Sequence, residues 1–155
     1  MLMFPDPTVF PDPTESISEF ILPSFRKILV THDGKDKSNK AINYAIYLSK
    51  LSGAEITILQ IINDVKKQDN VNNIECDLID SMEEKIKKIK HAGCEKVSYK
   101  FKTGNTIDEI VGEINEMNYD LVVLTSSHLS SWMESLFSNT RKIISNIHTS
   151  VLIPQ

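Results

Sequence analysis

Histidine, aspartate and serine side chains fall close together at two places in the sequence, and this combination is the first to consider for chemistry. His32 and Asp33 are adjacent, and Ser126 and His128 lie in the last third of the chain. Nucleophilic catalysis needs a serine within hydrogen-bond reach of a histidine that a third group orients. The sequence contains no Gly-x-Ser-x-Gly segment, which would present such a serine on a sharp strand-to-helix turn. We therefore expect a protein that is not an enzyme, with a small hydrolase as an alternative.

Metal and disulfide chemistry find little support in the sequence. The four histidines show none of the spacings that are typical of a zinc site, and the two cysteines, Cys76 and Cys94, are too few for a disulfide framework. We expect no bound metal. Two ordinary thiols also fit a reducing, cytoplasmic setting.

Hydroxyl and amide side chains near the fourth strand offer a second chemistry, the binding of a small anion. A nucleoside or a monophosphate would find hydroxyl donors and a helix start at Ser126, Ser127, Ser138, Asn139 and Thr140. The simpler interpretation is that these residues only cap the final helix.

The elements that must position these residues alternate between strands and helices. Short apolar runs bounded by turn residues predict strands, and apolar residues at helical spacing predict helices. Ser38 is the expected N-cap of the first helix, whose buried stripe includes Leu51 and which Gly53 ends; Thr106 is the expected N-cap of the third. We expect strands at 27–32, 55–62, 96–101, 121–124 and 151–153, and helices before Gly53 and at 74–92, 106–117 and 140–147.

This order of elements implies the fold class and the position of a site. Alternating strands and helices imply an α/β fold, an open five-stranded parallel sheet with helices on both faces. In such a sheet ligands bind at the carboxyl ends of the strands, where the strand order reverses. The loops that follow the first and fourth strands, and with them His32, Asp33 and Ser126, belong to that edge. His128 is expected on a surface loop.

Residues 1–24 form a separate arm before the domain at 25–155. Phe4-Pro5-Asp6-Pro7-Thr8 recurs as Phe10-Pro11-Asp12-Pro13-Thr14. Proline fixes φ and removes a backbone donor, so this arm is expected to be extended or polyproline-like. Its phenylalanines are spaced like anchors for a groove on the body of the protein or on a partner subunit; a loosely ordered tail is the alternative.

Charge and hydropathy exclude two classes of partner. The formal net charge is −4, whereas a dedicated nucleic-acid-binding protein normally carries a basic face. The chain begins Met1-Leu2-Met3-Phe4 and meets Pro5 at once, so a signal peptide is not expected. No apolar run reaches the length of a transmembrane helix. We expect neither a nucleic-acid nor a membrane partner.

Four segments, in order and at fitting spacing, resemble universal stress proteins over about residues 25–153. They are 28–34 with Ser38 and Ala41, the run Gly104-x4-Glu109-Ile110, residues 120–124 and residues 150–153. The resemblance implies the parallel sheet already expected, usually paired into a dimer. Many members of that family bind ATP, and others do not.

The family's ATP-binding loop is altered in this sequence. ATP-binding members carry Gly-x2-Gly-x9-Gly-Ser/Thr after the fourth strand, since glycines let the backbone approach the phosphates. Here the same spacing gives Thr125-x2-His128-x9-Ser138-Asn139. We therefore expect no ATP bound in the family's manner.

The adenine end of the family's site is better kept. The resemblance places Asp33 where the family contacts the base and Thr31 where many members have proline; Asp33 also suits a turn with Gly34. An AMP or ATP site is the alternative. The candidate pocket comprises Thr31, His32, Asp33, Ile61, Thr125, Ser126, His128, Ser138, Asn139 and Thr140.

The last strand, Val151-Leu152-Ile153, favours a homodimer. An apolar edge strand exposes unpaired backbone groups, and pairing with its twin across a two-fold axis removes them. The arm is a candidate second contact with the partner subunit. The function expected is that of a dimeric binding or sensor module in the stress response, with an adenine-nucleotide-binding stress protein or a small hydrolase as alternatives.

Overall fold

The computed structural model describes residues 25–62, 71–125, 127–128, 130, 133–134 and 149–154. Its centre is one parallel sheet with the strand order β3-β2-β1-β4-β5. The strands are β1 Lys27–His32, β2 Glu55–Ile62, β3 Val97–Thr103, β4 Leu121–Val123 and β5 Ser150–Leu152. The expected open five-stranded parallel sheet is thereby confirmed.

Helices lie on both faces of this sheet. A 3-10 turn at Asp36–Ser38 leads into α1, Asn39–Ser52; the other two described helices are α2, Val71–His91, and α3, Thr106–Met117. On one face α1 and α2 bury a cluster that includes Ile28, Val30 and Met82. On the other face α3 buries a second cluster with Leu29 and Val122. Successive residues of a strand point to opposite faces of the sheet. Because helices cover both faces here, consecutive apolar residues along a strand are all buried.

Parallel pairing sets the register at which the strand ends meet. Lys27 of β1 pairs with Glu55 of β2, and Val30 pairs with Val123 of β4. The carboxyl ends of β1 and β4 are therefore neighbours. The strand order also reverses between them, because β1 continues to β2 on one side while β4 lies on the other. This is the position at which doubly wound sheets form their ligand crevice.

Three details of the helices differ from the sequence prediction. Ser38 makes no side-chain capping bond at α1, because its hydroxyl bonds to Asp33 instead. The cap of α3 is Asn105 and not Thr106; its Oδ1 accepts from the N–H groups of residues 107 and 108 at 3.0 and 3.2 Å. Leu51 was expected in the buried stripe of α1, but it is 69% exposed. Gly53 does end α1 in the left-handed region, with φ of 72°.

Several predictions concern residues that the structure does not describe. These are the arm at 1–24 and the final helix at 140–147, together with the hydroxyl and amide residues Ser126, Ser138, Asn139 and Thr140. The last strand is described and lies at one edge of the sheet, at Ser150–Leu152, one residue earlier than expected. Within the described part of the chain, no helix is long and apolar enough to cross a bilayer.

Candidate functional site

The candidate site lies where β1 and β4 end side by side. Thr31 and His32 are the last residues of β1, both fully buried, and Asp33 begins the turn after them. Thr125 follows β4 and is also buried, at 3% exposure. The N–H of Thr125 donates to Thr31 Oγ1 at 3.2 Å, which ties the two strand ends together beyond the last ladder pair.

His128 closes the crevice between these strand ends. Its backbone N–H donates to the carbonyl of Thr125 at 3.0 Å, forming a tight turn directly after β4. The turn directs the imidazole inward, where Nδ1 lies 3.0 Å from Thr31 Oγ1 and the residue is only 8% exposed. Burial lowers the pKa of His128, because the charged ring would lose hydration, while nearby Asp33 acts in the opposite sense. The expectation that His128 lies on a surface loop was wrong.

His32 is held in one orientation by its two neighbours. The Gly34 N–H donates to His32 Nδ1 at 3.0 Å, so the ring proton of the neutral form lies on Nε2. Nε2 therefore donates to Asn39 Oδ1, 3.1 Å away at the start of α1. Burial lowers the pKa of His32, although the Asn39 bond works against that shift. Both ring nitrogens are engaged, which leaves this side chain no free nitrogen for a substrate or a metal.

Asp33 is the charged group at the mouth of the site. Its Oδ1 accepts from the Lys35 N–H at 2.9 Å and from the hydroxyl of Ser38, and its Oδ2 accepts from Ser127 Oγ at 2.7 Å. Partial burial alone would raise the pKa of Asp33, but the bonds from Ser38, Ser127 and Lys35 outweigh it and lower the pKa to about 2. The carboxylate is thus ionised at any ordinary pH and joins the β1 turn to the turn after β4.

Ser127 completes this connection between the two turns. Its hydroxyl lies 3.1 Å from Thr125 Oγ1 as well as 2.7 Å from the Asp33 carboxylate. The structure therefore brings Thr31, His32, Asp33, Thr125 and His128 together at the ends of β1 and β4. Ile61, the remaining described candidate, packs half-buried against the α3-side cluster at the end of β2.

A cleft remains open beside the closed crevice. It has a volume of about 440 Å³ and lies between the first turn of α1 and the ends of β4 and β5. Its lining includes Asn39, Lys40, Asn43, Thr125 and Pro154.

Sequence reasoning missed a second buried polar cluster, on the α3 face of the sheet. Glu113 is fully buried, and its Oε1 accepts from Lys100 Nζ at 2.8 Å and Tyr119 Oη at 2.7 Å. Lys102 Nζ lies 3.0 Å from Oε2 as an ion pair. Burial opposes the charged form, but these partners lower the pKa of Glu113, whereas burial and the same carboxylate raise that of Tyr119. The signal was a glutamate three residues after Ile110, within the apolar stripe of α3.

The groups of this cluster serve the fold more than chemistry. Lys100 and Lys102 of the edge strand β3 form ion pairs with Glu113 of α3. The Glu113 carboxylate also accepts a hydrogen bond from Tyr119, so it has three donors. Among the described residues, no group of three or more histidine, cysteine, aspartate or glutamate side chains could hold a metal ion.

Comparison with known proteins identifies the family to which this site belongs. The model of the universal stress protein family matches residues 24–154. The chain belongs to the universal stress protein family. Universal stress protein YxiE of Bacillus subtilis (strain 168) is 26% identical over 140 residues, which cover 81% of this chain and 95% of that protein.

Solved structures of universal stress proteins share the fold. A universal stress protein in complex with cAMP superposes with a TM-score of 0.63 at 22% identity, covering 86% of this chain and 98% of the other. The Archaeoglobus fulgidus universal stress protein in complex with dAMP gives a TM-score of 0.55 at 14% identity, covering 84% and 98%. At these identities the likeness establishes the fold, that is, the sheet and its helices.

Proposed function

We propose that this universal stress protein acts as a binding module in the stress response, and that His128 keeps its strand-end crevice closed to ATP. The observation that carries the proposal is the buried imidazole on Thr31. His128 stands where ATP-binding members of the family have a glycine. A glycine there would leave room for the phosphates, whereas the imidazole fills the space with its own ring.

Binding of a smaller adenine nucleotide is the second candidate function. Two structural neighbours are described as complexes with cAMP and with dAMP. Asp33 supports this candidate, because its carboxylate is ionised and partly exposed and the sequence resemblance places it where the family contacts the base. However, its oxygens already accept from Ser38, Lys35 and Ser127, so a base must displace the Ser127 hydroxyl to reach Oδ2.

Catalysis by this site is not part of the proposal. Ser127 donates to a carboxylate, and the bonded ring nitrogens of the two histidines contact Thr31, Gly34 and Asn39. A serine nucleophile needs a histidine base within about 3 Å, and no serine among the described residues makes that contact with His32 or His128. The small-hydrolase alternative depends on Ser126, which lies outside the described residues.

We propose that the protein forms a homodimer through β5. This strand lies at one edge of the described sheet, and Val151 and Leu152 on it are buried against the two faces of the body. Pairing two copies across a two-fold axis would extend the sheet through this edge. Sedimentation equilibrium at micromolar concentration should show a dimer; a monomer alone would contradict this assembly. We also place the protein in the cytoplasm, because Cys76 and Cys94 are both free thiols.

Calorimetric titration tests the function directly. The purified protein is titrated with ATP, ADP, AMP and cyclic AMP in the presence of magnesium. We expect no heat of binding for ATP and ADP, because their phosphates would need the space that His128 occupies. Tight binding of ATP would contradict the closed crevice. Binding of AMP or cyclic AMP alone would favour the second candidate function.

A further inference from the structure

Helix α1 carries an apolar stripe on the side that faces solvent. Tyr44, Tyr47 and Leu51 are 42%, 64% and 69% exposed. Their spacing of three and four residues places all three on one line along the helix, and Lys40 precedes them by one turn on the same line. We call these four residues the α1 stripe. Large apolar groups aligned in this way on a surface mark a site of contact.

Packing of the domain does not explain the α1 stripe. The residues by which α1 contacts the sheet are Ala41, Ile42 and Ala45, all at most 4% exposed, and they lie on the opposite side of the helix. Leaving two tyrosines and a leucine in water contributes nothing to that interface. The stripe therefore fits a role in contact with something outside the described domain.

The arm at residues 1–24 has the chemistry that such a surface accepts. Each Phe-Pro-Asp-Pro-Thr repeat supplies an aromatic ring flanked by prolines. Polyproline-like peptides dock on surfaces lined by aromatic side chains, because their conformation is set in advance and little entropy is lost. One five-residue repeat extends ~12 Å at ~3.1 Å per residue. The α1 stripe is ~10 Å long from Tyr44 to Leu51 at ~1.5 Å per residue.

The path of the chain brings the arm to this helix. Phe25, directly after the arm, packs against the same core cluster that α1 covers. The Glu55 N–H donates to the Arg26 carbonyl at 3.0 Å, so the start of β1 lies beside the residues that follow α1. The arm thus joins the domain near the Leu51 end of the stripe. About 15 residues separate Phe10 from Phe25, and ~45 Å of extended chain exceeds the distance required.

Charge favours the same pairing. The arm contains Asp6, Asp12, Glu15 and Glu19 and no lysine or arginine, so the whole formal charge of −4 resides in it. Exposed Lys40 lies at one end of the stripe, and exposed Lys50 is next to Leu51 at the other. The acidic, proline-rich arm would therefore contact the tyrosine rings of the α1 stripe, which has a lysine at each end.

We infer that the arm docks one Phe-Pro-Asp-Pro-Thr repeat on the α1 stripe of its own chain. The contact is intramolecular, and a linker of this length keeps the local concentration of the arm in the millimolar range. Even a weak aromatic contact is then populated. The inference is independent of nucleotide binding and of the dimer.

NMR relaxation of the backbone amides in the full chain tests this inference. The stripe variant Tyr47→Ser/Leu51→Ser is compared with a matched control, Ile79→Ser/Met117→Ser, which removes two apolar side chains of 40% and 38% exposure from α2 and α3. The non-proline amides of the arm should show restricted motion in the wild-type protein and should lose that restriction in the stripe variant, with heteronuclear NOE values falling toward those of a free chain. The control should leave the arm's relaxation unchanged.

Equal relaxation of the arm amides in the wild-type protein and the stripe variant would overturn the inference. A second measurement shows whether the arm contacts the stripe of its own chain or that of a partner subunit. In a sample mixed from isotope-labelled and unlabelled protein, contacts between Phe10 and Leu51 should arise within one chain. Contacts that appear only between labelled and unlabelled chains would show an arm exchanged with a partner subunit, and would overturn the assignment to the same chain.

Discussion

Replacing His128 with alanine should destabilise the fold measurably, because this side chain is almost fully buried and bonded. The variant loses the hydrogen bond to Thr31, worth about 1 kcal/mol, and leaves a cavity where the ring packed, worth about 1 kcal/mol more. Thr31 Oγ1 keeps the N–H of Thr125, so the strand ends stay joined. The expected loss in free energy of unfolding is about 2 kcal/mol.

Urea unfolding at pH 7.5 measures this loss. With a denaturant slope of about 2 kcal/mol per molar, the midpoint should fall by about 1 M. His91→Ala is the matched control, because His91 is exposed at the end of α2 and its loss should change stability by less than about 0.5 kcal/mol. A His128→Ala variant as stable as the control would refute the reasoning that this imidazole fills the crevice.

The free energy of unfolding of His128→Ala should fall less at acidic pH than that of the wild-type protein. Burial lowers the pKa of His128 below 6.5 in the folded state, so below about pH 6.5 the unfolded chain binds more protons than the folded one. The contribution of a buried neutral histidine is therefore present above that pH and is lost as the pH falls. The difference in stability between wild type and His128→Ala should shrink from pH 7.5 to 5.5; a constant difference would contradict a buried neutral ring.

Three further predictions follow from the polar contacts and one backbone position. Glu113→Gln should cost about 2–3 kcal/mol in urea unfolding, because it removes a buried charge that partners two part-exposed lysines, whereas exposed Glu116→Gln should cost less than about 0.5 kcal/mol. The Asp33 carboxyl should titrate by NMR with a pKa of about 2, so its contribution to stability is lost as the pH falls from about 3.8 toward 2. Ser127→Ala should raise that pKa, because it removes a hydrogen bond to the carboxylate. A titration midpoint near 3.8 in the wild-type protein would contradict this prediction. Gly53→Ala should cost about 1 kcal/mol through backbone strain alone, since nothing lies within 4 Å of the added Cβ; unchanged stability would contradict a left-handed cap.

The sheet could be predicted closely because its signals are local. The strands at 27–32 and 55–62 are largely apolar runs that end at turn residues, and the structure reproduces both bounds. Helices on both faces of a parallel sheet bury runs of this kind. Leu51 shows the limit of this reasoning: helical spacing placed it near the buried side of α1, yet it lies on the solvent-facing side of the helix with Tyr44 and Tyr47.

The positions of polar side chains were harder to predict, because each can form hydrogen bonds with several different partners. Ser38 fits an N-cap by type and position, but its hydroxyl faces the turn after β1, where it donates to the Asp33 carboxylate and accepts from the Asp33 N–H at 3.3 Å. His128 follows an apolar strand and carries no local sign of burial. Its inward position depends on Thr31, which is nearly a hundred residues away in sequence and adjacent only in the folded sheet.

The measurement that tests the closed crevice most directly is the affinity for ATP of His128→Gly compared with the wild-type protein and with His91→Gly. Removing the ring frees the space beside Thr31. We predict that ATP binds His128→Gly at least about tenfold more tightly than either of the other two proteins, since a ring worth about 1.4 kcal/mol or more no longer has to be displaced. Equal affinity in all three proteins would contradict the claim that His128 closes this site.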